Sequence, residues 1–406
     1  MAFDRDELNF LCAHPEAIAE ASQHELTRTS MMKDMGVLKK SYGDYARAVV
    51  EASLARRSLE AKIGPGEWLA DSDSAQQATP GAVARFRAEY LRSLGATRVT
   101  DVTCSIGTEL LFSQVPAAGS DLDASRVRMA VHNTRGCSQV LGVAQADALQ
   151  PVWTGTALTN GPAGAGESSS DIVIADPARR NSSGRIARLD EVRPTLPELV
   201  ERYPRLVVKC APGIDVKDVS DWAGQVDFIS VGGDMKEASV YSAPVVGRPA
   251  SDILRRAVVI GDNSGTTSRD IWTSDMPDEG CDVRPVGSFI VEPDAALIRA
   301  GLVRHYGHAH GLWQLDSHIA FLSGDTVPPG VRGFEVLEQV PLRQVKAALA
   351  ARGVGSAEIL IRGVDLDPDV LRKKWKLKGK AAVSVIIARI DAEDQRMAFI
   401  CRPVRG

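Results

Sequence analysis

No two cysteines of this 406-residue chain are spaced C-x-x-C; the six, Cys12, Cys104, Cys137, Cys210, Cys281 and Cys401, stand apart. That pattern supports neither a disulfide framework nor a cysteine zinc site, and a reducing cytoplasm is the expected compartment. No apolar run approaches the ~18 residues that a membrane span needs. The start "MAFDRDELNF" has neither the basic nor the apolar part of an export signal. Membrane insertion and secretion are therefore not expected. A large excess of one charge is also missing: the net of −4 excludes a protein coated in basic surface but leaves room for a local basic patch. There is no repeat of solenoid length. What is present, at 44% hydrophobic and 5% aromatic, is an ordinary globular composition with core enough for two or three domains.

Residues 1 to about 63 read as helical. "DYARAVVEASLARRSLEAKI" carries apolar residues at helical spacing and stops at the breaker "GPGEW", so a helical prefix or lid over residues 1–75 is expected. From about residue 80 to 260 short Val/Ile strands alternate with helical stretches: "RVTDVT", "AAGSDL", "QVLGVAQ", "DIVIAD", "RLVVKC" and "VDFISVG". Such alternation predicts a doubly wound parallel sheet, here assigned to residues 76–282. "KEASVYSAPVV" and "RRAVVIG" are expected to close it as an antiparallel hairpin, and the Gly/Ser-rich run 154–170 reads as a surface excursion. A second region, 283–406, ends in a small α/β domain at about 331–406 with the order strand, helix, strand, helix, strand, strand.

The stretch "RVTDVTCSIGTELLFSQV" runs from the first strand through a turn with a single glycine, Gly107, into a helix. Ligands of open α/β sheets sit at this place. A dinucleotide requires G-x-G-x-x-G, whereas this turn reads Cys104, Ser105, Ile106, Gly107, Thr108. A ligand without phosphates tolerates the difference. S-adenosylmethionine, with an amino-acid tail, a ribose and an adenine, calls for carboxylates and backbone amides. Acids stand at successive strand ends: Asp101, Asp121 about 20 residues on, Asp147, and Asp176 in "DIVIADPARR".

With these pieces the chain resembles the class I S-adenosylmethionine-dependent methyltransferases, and more narrowly the bacterial group with a C-terminal THUMP-like domain. The resemblance is carried in order by "QQATPGAVARFRAEYL", "DVTCSIGTE", "GSDLDASRVRMAVHN", "DPARR", "VVKCAPGID", "GGDMKE", "VEPDAALIRAGL" and the basic C-terminal unit. It implies an α/β fold, a Rossmann-like doubly wound seven-stranded methyltransferase sheet, with S-adenosylmethionine as cofactor. It implies that Asp101 and Gly107 hold the methionine end, Asp121 the ribose and Asp147 the adenine amine, with Thr79, Cys104, Leu122 and Ala148 also lining the cofactor. Asp176, Pro177 and Arg179 fall on the substrate side as catalytic residues. The implied substrate is structured RNA, tRNA or rRNA. Asp121 and Asp123 compete for the ribose, and Asp123 has the position of a helix N-cap.

Methyl transfer is an in-line displacement in which the enzyme mainly orients the nucleophile. An exocyclic base amine has its lone pair conjugated with the ring. A carboxylate at Asp176 and a carbonyl near Pro177, accepting its N–H groups, turn that pair towards the methyl. Relatives acting on such amines read Asp/Asn-Pro-Pro-aromatic, where this chain has Ala178 and Arg179; arginine stacks by its guanidinium plane or binds phosphate. The alternative is a C5-pyrimidine RNA methyltransferase with Cys210 in "KCAPG" as nucleophile beside Lys209. Two further readings are a methyltransferase acting on a protein or small molecule, and a non-catalytic nucleic-acid-binding protein with a degenerate cofactor site. His132, and His305, His308 and His310 in "RHYGHAHGL", read as packing or surface residues, and no metal is expected.

Residues 343–380 hold ten Lys and Arg against four acids, a net of +6. Arg362, Lys373, Lys374, Lys376 and Lys378 are the expected phosphate contacts, with Trp375 as an exposed stacking aromatic.

Overall fold

A computed structural model describes residues 3–150, 152, 171–177, 180–181, 184–185, 194–261, 268–390 and 395–406, with the main chain only at 180–181, 184–185 and 395. Ala178, Arg179 and the Gly/Ser-rich run 154–170 lie outside the described residues. The chain forms two compact units, Met1–Ile253 with Ile260–Arg269, and Leu254–Val259 with Asp270–Gly406. Among the described residues no helix is long and apolar enough to cross a membrane.

The first unit opens with helices α1 (Arg5–Ala13), α2 (Pro15–Ala21), α3 (Met31–Tyr42) and α4 (Ala46–Lys62). Their apolar faces bury Leu8, Leu11, Ile18, Leu38, Val49 and Leu59 in one cluster, which also takes in Ile106 and Met129. The helical prefix thus shares its core with the residues around the single-glycine turn. Helices α5 (Ser72–Gln77) and α6 (Gly81–Ser93) lead into the sheet, where α7 (Thr108–Phe112) and α8 (Ala124–Asn133) follow the first two strands.

The sheet strands of this unit are β1 (Arg98–Asp101), β2 (Ala117–Asp121), β3 (Val140–Gln145), β4 (Asp171–Ala175), β5 (Leu206–Cys210), β6 (Ala223–Val231) and β7 (Asp234–Ser242). All five residues of β5, Leu-Val-Val-Lys-Cys, are buried, as expected of a strand with neighbours on both sides and cover on both faces. The seven strands lying wholly in the first unit stand in the order β6-β7-β5-β4-β1-β2-β3. β1 to β5 run parallel, while β7 is antiparallel to both β5 and β6. The hairpin partner of β7 is β6, not the "RRAVVIG" stretch that the sequence suggested. The turn decides it: Val231 and Asp234 are joined by Gly232 and Gly233, both at positive φ (61° and 87°), the two-residue geometry that matches strand twist and that β-carbons resist. Strand order reverses beside β1, whose neighbours are β2 and β4, and the carboxyl ends at such a reversal are where open α/β sheets hold their ligands.

The second unit has β8 (Phe289–Val291), β9 (Trp313–Gln314), β10 (Leu322–Gly324), β11 (Arg332–Pro341), β12 (Val354–Arg362), β13 (Ala381–Ile390) and β14 (Gln395–Arg405), in the order β9-β10-β8-β11-β14-β13-β12. Helices α9 (Val345–Ala351) and α10 (Pro368–Trp375) cover one face. Side chains alternate across the sheet as the two-residue period requires. Val385, Ile387, Ala398 and Ile400 pack with Leu349, Leu371 and Trp375. Ile386, Ala388, Phe399 and Cys401 pack on the other face with Ile290, Phe321 and Phe334. Trp375 is only 5% exposed. The exposed stacking aromatic expected at this position is therefore a core residue, because α10 turns that face onto the sheet.

Candidate active site

β1 ends at Asp101, and the chain reaches α7 through a turn in which Ser105 (φ 48°) and Gly107 (φ 87°) both adopt the left-handed region. At Gly107 a β-carbon would also stand 3.0 Å from Thr134 Cγ2, so this is where the turn requires glycine. Asn133, at the end of α8, holds the turn by donating to the Ile106 carbonyl at 3.1 Å, and pairs with the Leu69 main chain at 2.8 and 3.0 Å. The Gly107 N–H donates to the Cys104 carbonyl at 2.7 Å, and the Cys104 N–H donates to the Ser120 carbonyl at 2.8 Å. The Cys104 side chain packs with Leu110, Ala117 and Ala130. Cys104 therefore frames the turn, with its thiol in the core.

Asp121 accepts the Ser105 N–H at Oδ2 (2.9 Å) and the Asp123 N–H at Oδ1 (3.0 Å). These bonds fix the carboxylate at the end of β2 and tie it to the turn after β1. Asp123 is engaged elsewhere: its Oδ1 caps α8 by accepting from the Ser125 and Arg126 N–H groups. Leu122 beside it is 70% exposed. After β3, Asp147 is exposed and accepts the Leu149 N–H at 2.8 Å, while Ala148 is buried and its carbonyl accepts from the Tyr203 hydroxyl. The Ser105 hydroxyl is buried without a hydrogen-bond partner among the described residues. An orphaned donor at the switch point, next to carboxylates from two strands, fits a polar ligand with hydroxyl and ammonium groups and no phosphate.

A chain of buried charges that sequence reasoning missed links five elements of this unit. Glu237 (β7), Arg87 (α6), Glu109 (α7), Lys209 (β5) and Asp176 alternate in sign. Arg87, fully buried, donates to Glu109 at 2.5 Å, to Glu237, and to Ser239 Oγ at 3.2 Å. Lys209 Nζ donates to Thr79 Oγ1 at 2.6 Å, lies 2.8 Å from Asp176 Oδ2 and 3.7 Å from Glu109 Oε1. Burial opposes the charge of Lys209, but Asp176, Glu109 and Glu237 outweigh it and hold its pKa above the ordinary value. It is a fixed ammonium and not a base. Burial likewise opposes ionisation of Glu109, but Arg87 and Lys209 keep its pKa below the usual value. Asp101 is different: burial pushes its carboxyl to about 7, with Lys209 and the Thr103 N–H opposing and Glu109 and Asp176 adding. The Thr103 hydroxyl accepts the Asp176 N–H at 2.6 Å, joining the ends of β1 and β4. Thr79, Asp101 and Asp176 are thus brought together through Lys209, Pro177 is buried next to them, and Arg179 lies outside the described residues.

The chain is 42% identical over 386 residues, 91% of its length and the whole of theirs, to two Mycobacterium tuberculosis proteins described as S-adenosylmethionine-dependent methyltransferases, from strains CDC 1551 / Oshkosh and ATCC 25618 / H37Rv. The chain belongs to this family. Its cofactor is S-adenosylmethionine, in keeping with the phosphate-free turn and the strand-end carboxylates. A crystal structure described as a methyltransferase from Porphyromonas gingivalis W83, 17% identical, superposes with a TM-score of 0.70 over 99% of each chain, so the fold matches along the whole length. Residues 331–403 of the methyltransferase match the family described as THUMP domain-like. On that domain Lys373, Lys374, Lys376 and Lys378 are exposed on and after α10. Arg362, also exposed, pairs with Glu292 at 2.5 Å and lies over the Phe321 ring. His308 Nδ1 bonds the Glu279 carbonyl, whereas the His310 ring lies tilted against Tyr306.

Proposed function

We propose that this methyltransferase modifies an exocyclic base amine of structured RNA, tRNA or rRNA. The observation that carries the chemistry is the Lys209–Asp176 pair, a buried ammonium fixing a carboxylate that is part-exposed at the end of β4. When bound, the cofactor supplies an electrophilic methyl group on a sulfonium. Asp176, positioned by Lys209, accepts an N–H of the amine and turns the nitrogen lone pair away from ring conjugation; the proton released on methylation leaves through the same carboxylate. Asp101 and the turn at Gly107 take the methionine end. Asp121 takes the ribose hydroxyls, and Leu122, Asp147 and Ala148 take the adenine, with Thr79 beneath. The THUMP domain-like match and the net of +6 over residues 343–380 support RNA as the substrate, docked through Lys373, Lys374, Lys376 and Lys378.

The cysteine route has less support. Lys209 and Cys210 are consecutive in β5 and project to opposite faces, so the ammonium that serves Asp176 does not serve the thiol. The test is transfer of labelled methyl to RNA from cells lacking the gene, followed by nucleoside analysis. An N-methylated nucleoside is expected, abolished by Asp176→Ala with cofactor affinity nearly intact, while Cys210→Ser retains turnover. A dead Cys210→Ser variant, with wild-type enzyme trapped covalently on 5-fluoropyrimidine RNA, would replace the amine by a pyrimidine carbon.

A further inference from the structure

The second unit contains a cleft of about 690 Å³ between the end of β11, α9, α10 and the start of β14. Its rim carries four cations, Arg343, Lys346, Lys374 and Arg396, and among the described residues no carboxylate lines it. Among the described residues the side chains of these four make no hydrogen bond or ion pair. Elsewhere on the same unit arginines are neutralised: Arg332 by Glu358, Arg352 by Glu338, Arg372 by Asp369 and Arg402 by Glu335. Four like charges converging on one concavity repel one another, and a bound anion removes that cost. The floor is apolar, built from Leu342, Leu366, Leu371 and Met397, with the Trp375 edge behind them. Methionine and leucine suit a flat aromatic body.

We infer that this cleft takes one unpaired nucleotide of an RNA strand, its phosphate on Arg343, Lys346, Lys374 and Arg396 and its base against Leu342, Leu366 and Met397. The volume lies within the range of about 300–1,000 Å³ typical of small-ligand sites, large enough for a nucleotide. A duplex keeps its bases stacked inside and offers phosphates alone, so it leaves the apolar floor unfilled. An acidic peptide satisfies the cations and leaves the floor equally empty.

The inference rests on RNA as substrate, and the experiment separates the two. Anisotropy of a fluorescein-labelled single-stranded oligoribonucleotide is measured on the full chain, with the same strand annealed as a blunt duplex and poly-glutamate as competitors. The Lys346→Ala/Lys374→Ala variant is expected to lose affinity at least about tenfold and to flatten the salt slope by roughly 0.7 per lost contact. Arg343→Ala serves as an independent second variant, and Lys39→Ala/Lys40→Ala, exposed on α3, as the charge-matched control that leaves binding unchanged. Wild-type affinity in both cleft variants, or equal competition by the duplex or by poly-glutamate, overturns the cleft assignment even if RNA is methylated. Cleft-dependent binding without methyl transfer to RNA leaves the cleft standing and removes RNA as the substrate.

Discussion

Asp101 is buried at the end of β1 with its pKa pushed up to about 7, so the proposed contact with the cofactor ammonium is expected to make cofactor binding pH-dependent. Without ligand the folded protein holds this proton to higher pH than the unfolded chain, so its contribution to stability is greatest below the unfolded pKa and falls as pH rises towards 7. A cofactor ammonium on Asp101 selects the carboxylate, so binding releases a proton below pH 7. Affinity is expected to rise by up to about tenfold per pH unit from pH 5 to 7 and then level off. Calorimetry in buffers of different ionisation enthalpy reads the proton directly, and a flat profile would take Asp101 out of the site. Asp121 offers the second residue-level test. Asp121→Ala should weaken the cofactor or its demethylated product by about 1–3 kcal/mol, the loss of charge-assisted bonds, with NAD failing to bind either protein. Unchanged affinity would remove Asp121.

Element ends are where local sequence chemistry acts most directly. Asp123 caps α8, as its place before "ASRVRMAVHN" suggested, and the other end of that helix supplies Asn133 to the turn. α10 ends less comfortably: its C-cap is Lys376 at φ 50°, ψ 54°, a left-handed conformation that costs an L-residue about 1–2 kcal/mol. Lys376→Gly is therefore expected to stabilise the second unit by up to about 1 kcal/mol in thermal or urea unfolding, since glycine gives back part of the gain as unfolded-state entropy. The same variant removes one of the proposed phosphate contacts. Higher stability with weaker RNA binding is the expected pair of outcomes; a lower melting temperature would mean that the lysine stem packs in a way the cap geometry does not reveal.

For the molecule as a whole, the THUMP domain-like match begins at residue 331, but the sheet it belongs to begins earlier. β8 pairs with β11, and Ile290, Leu315 and Phe321 cover the face that Phe334, Ile386 and Phe399 present. A fragment of residues 331–406 would expose that face, and it is expected to be insoluble or molten by circular dichroism and dye binding. Residues 283–406 should be the better-behaved fragment, because β8 to β10 remain. Cooperative unfolding of the shorter piece would show that β11 to β14 and their helices suffice.

The sequence by itself determined the alternation of strands and helices, since apolar periodicity and turn residues are local. It also determined the single-glycine turn and the succession of strand-end acids, because sheet order places those ends together whatever the loops do. It did not determine that β7 pairs with β6, which the two-glycine turn settles only once both strands are seen in register. Nor did it show that Trp375 is core or that Arg362 is engaged by Glu292, a partner 70 residues away. Least legible was the chain from Glu237 through Arg87, Glu109 and Lys209 to Asp176. Arg87 and Glu237 are 150 positions apart, and nothing local marks a buried arginine on a helix or a lysine inside an apolar strand as paired. Only the tertiary structure could bring their charges together, because an ion stays in such an interior only where opposite charges and hydrogen bonds replace the water it has lost.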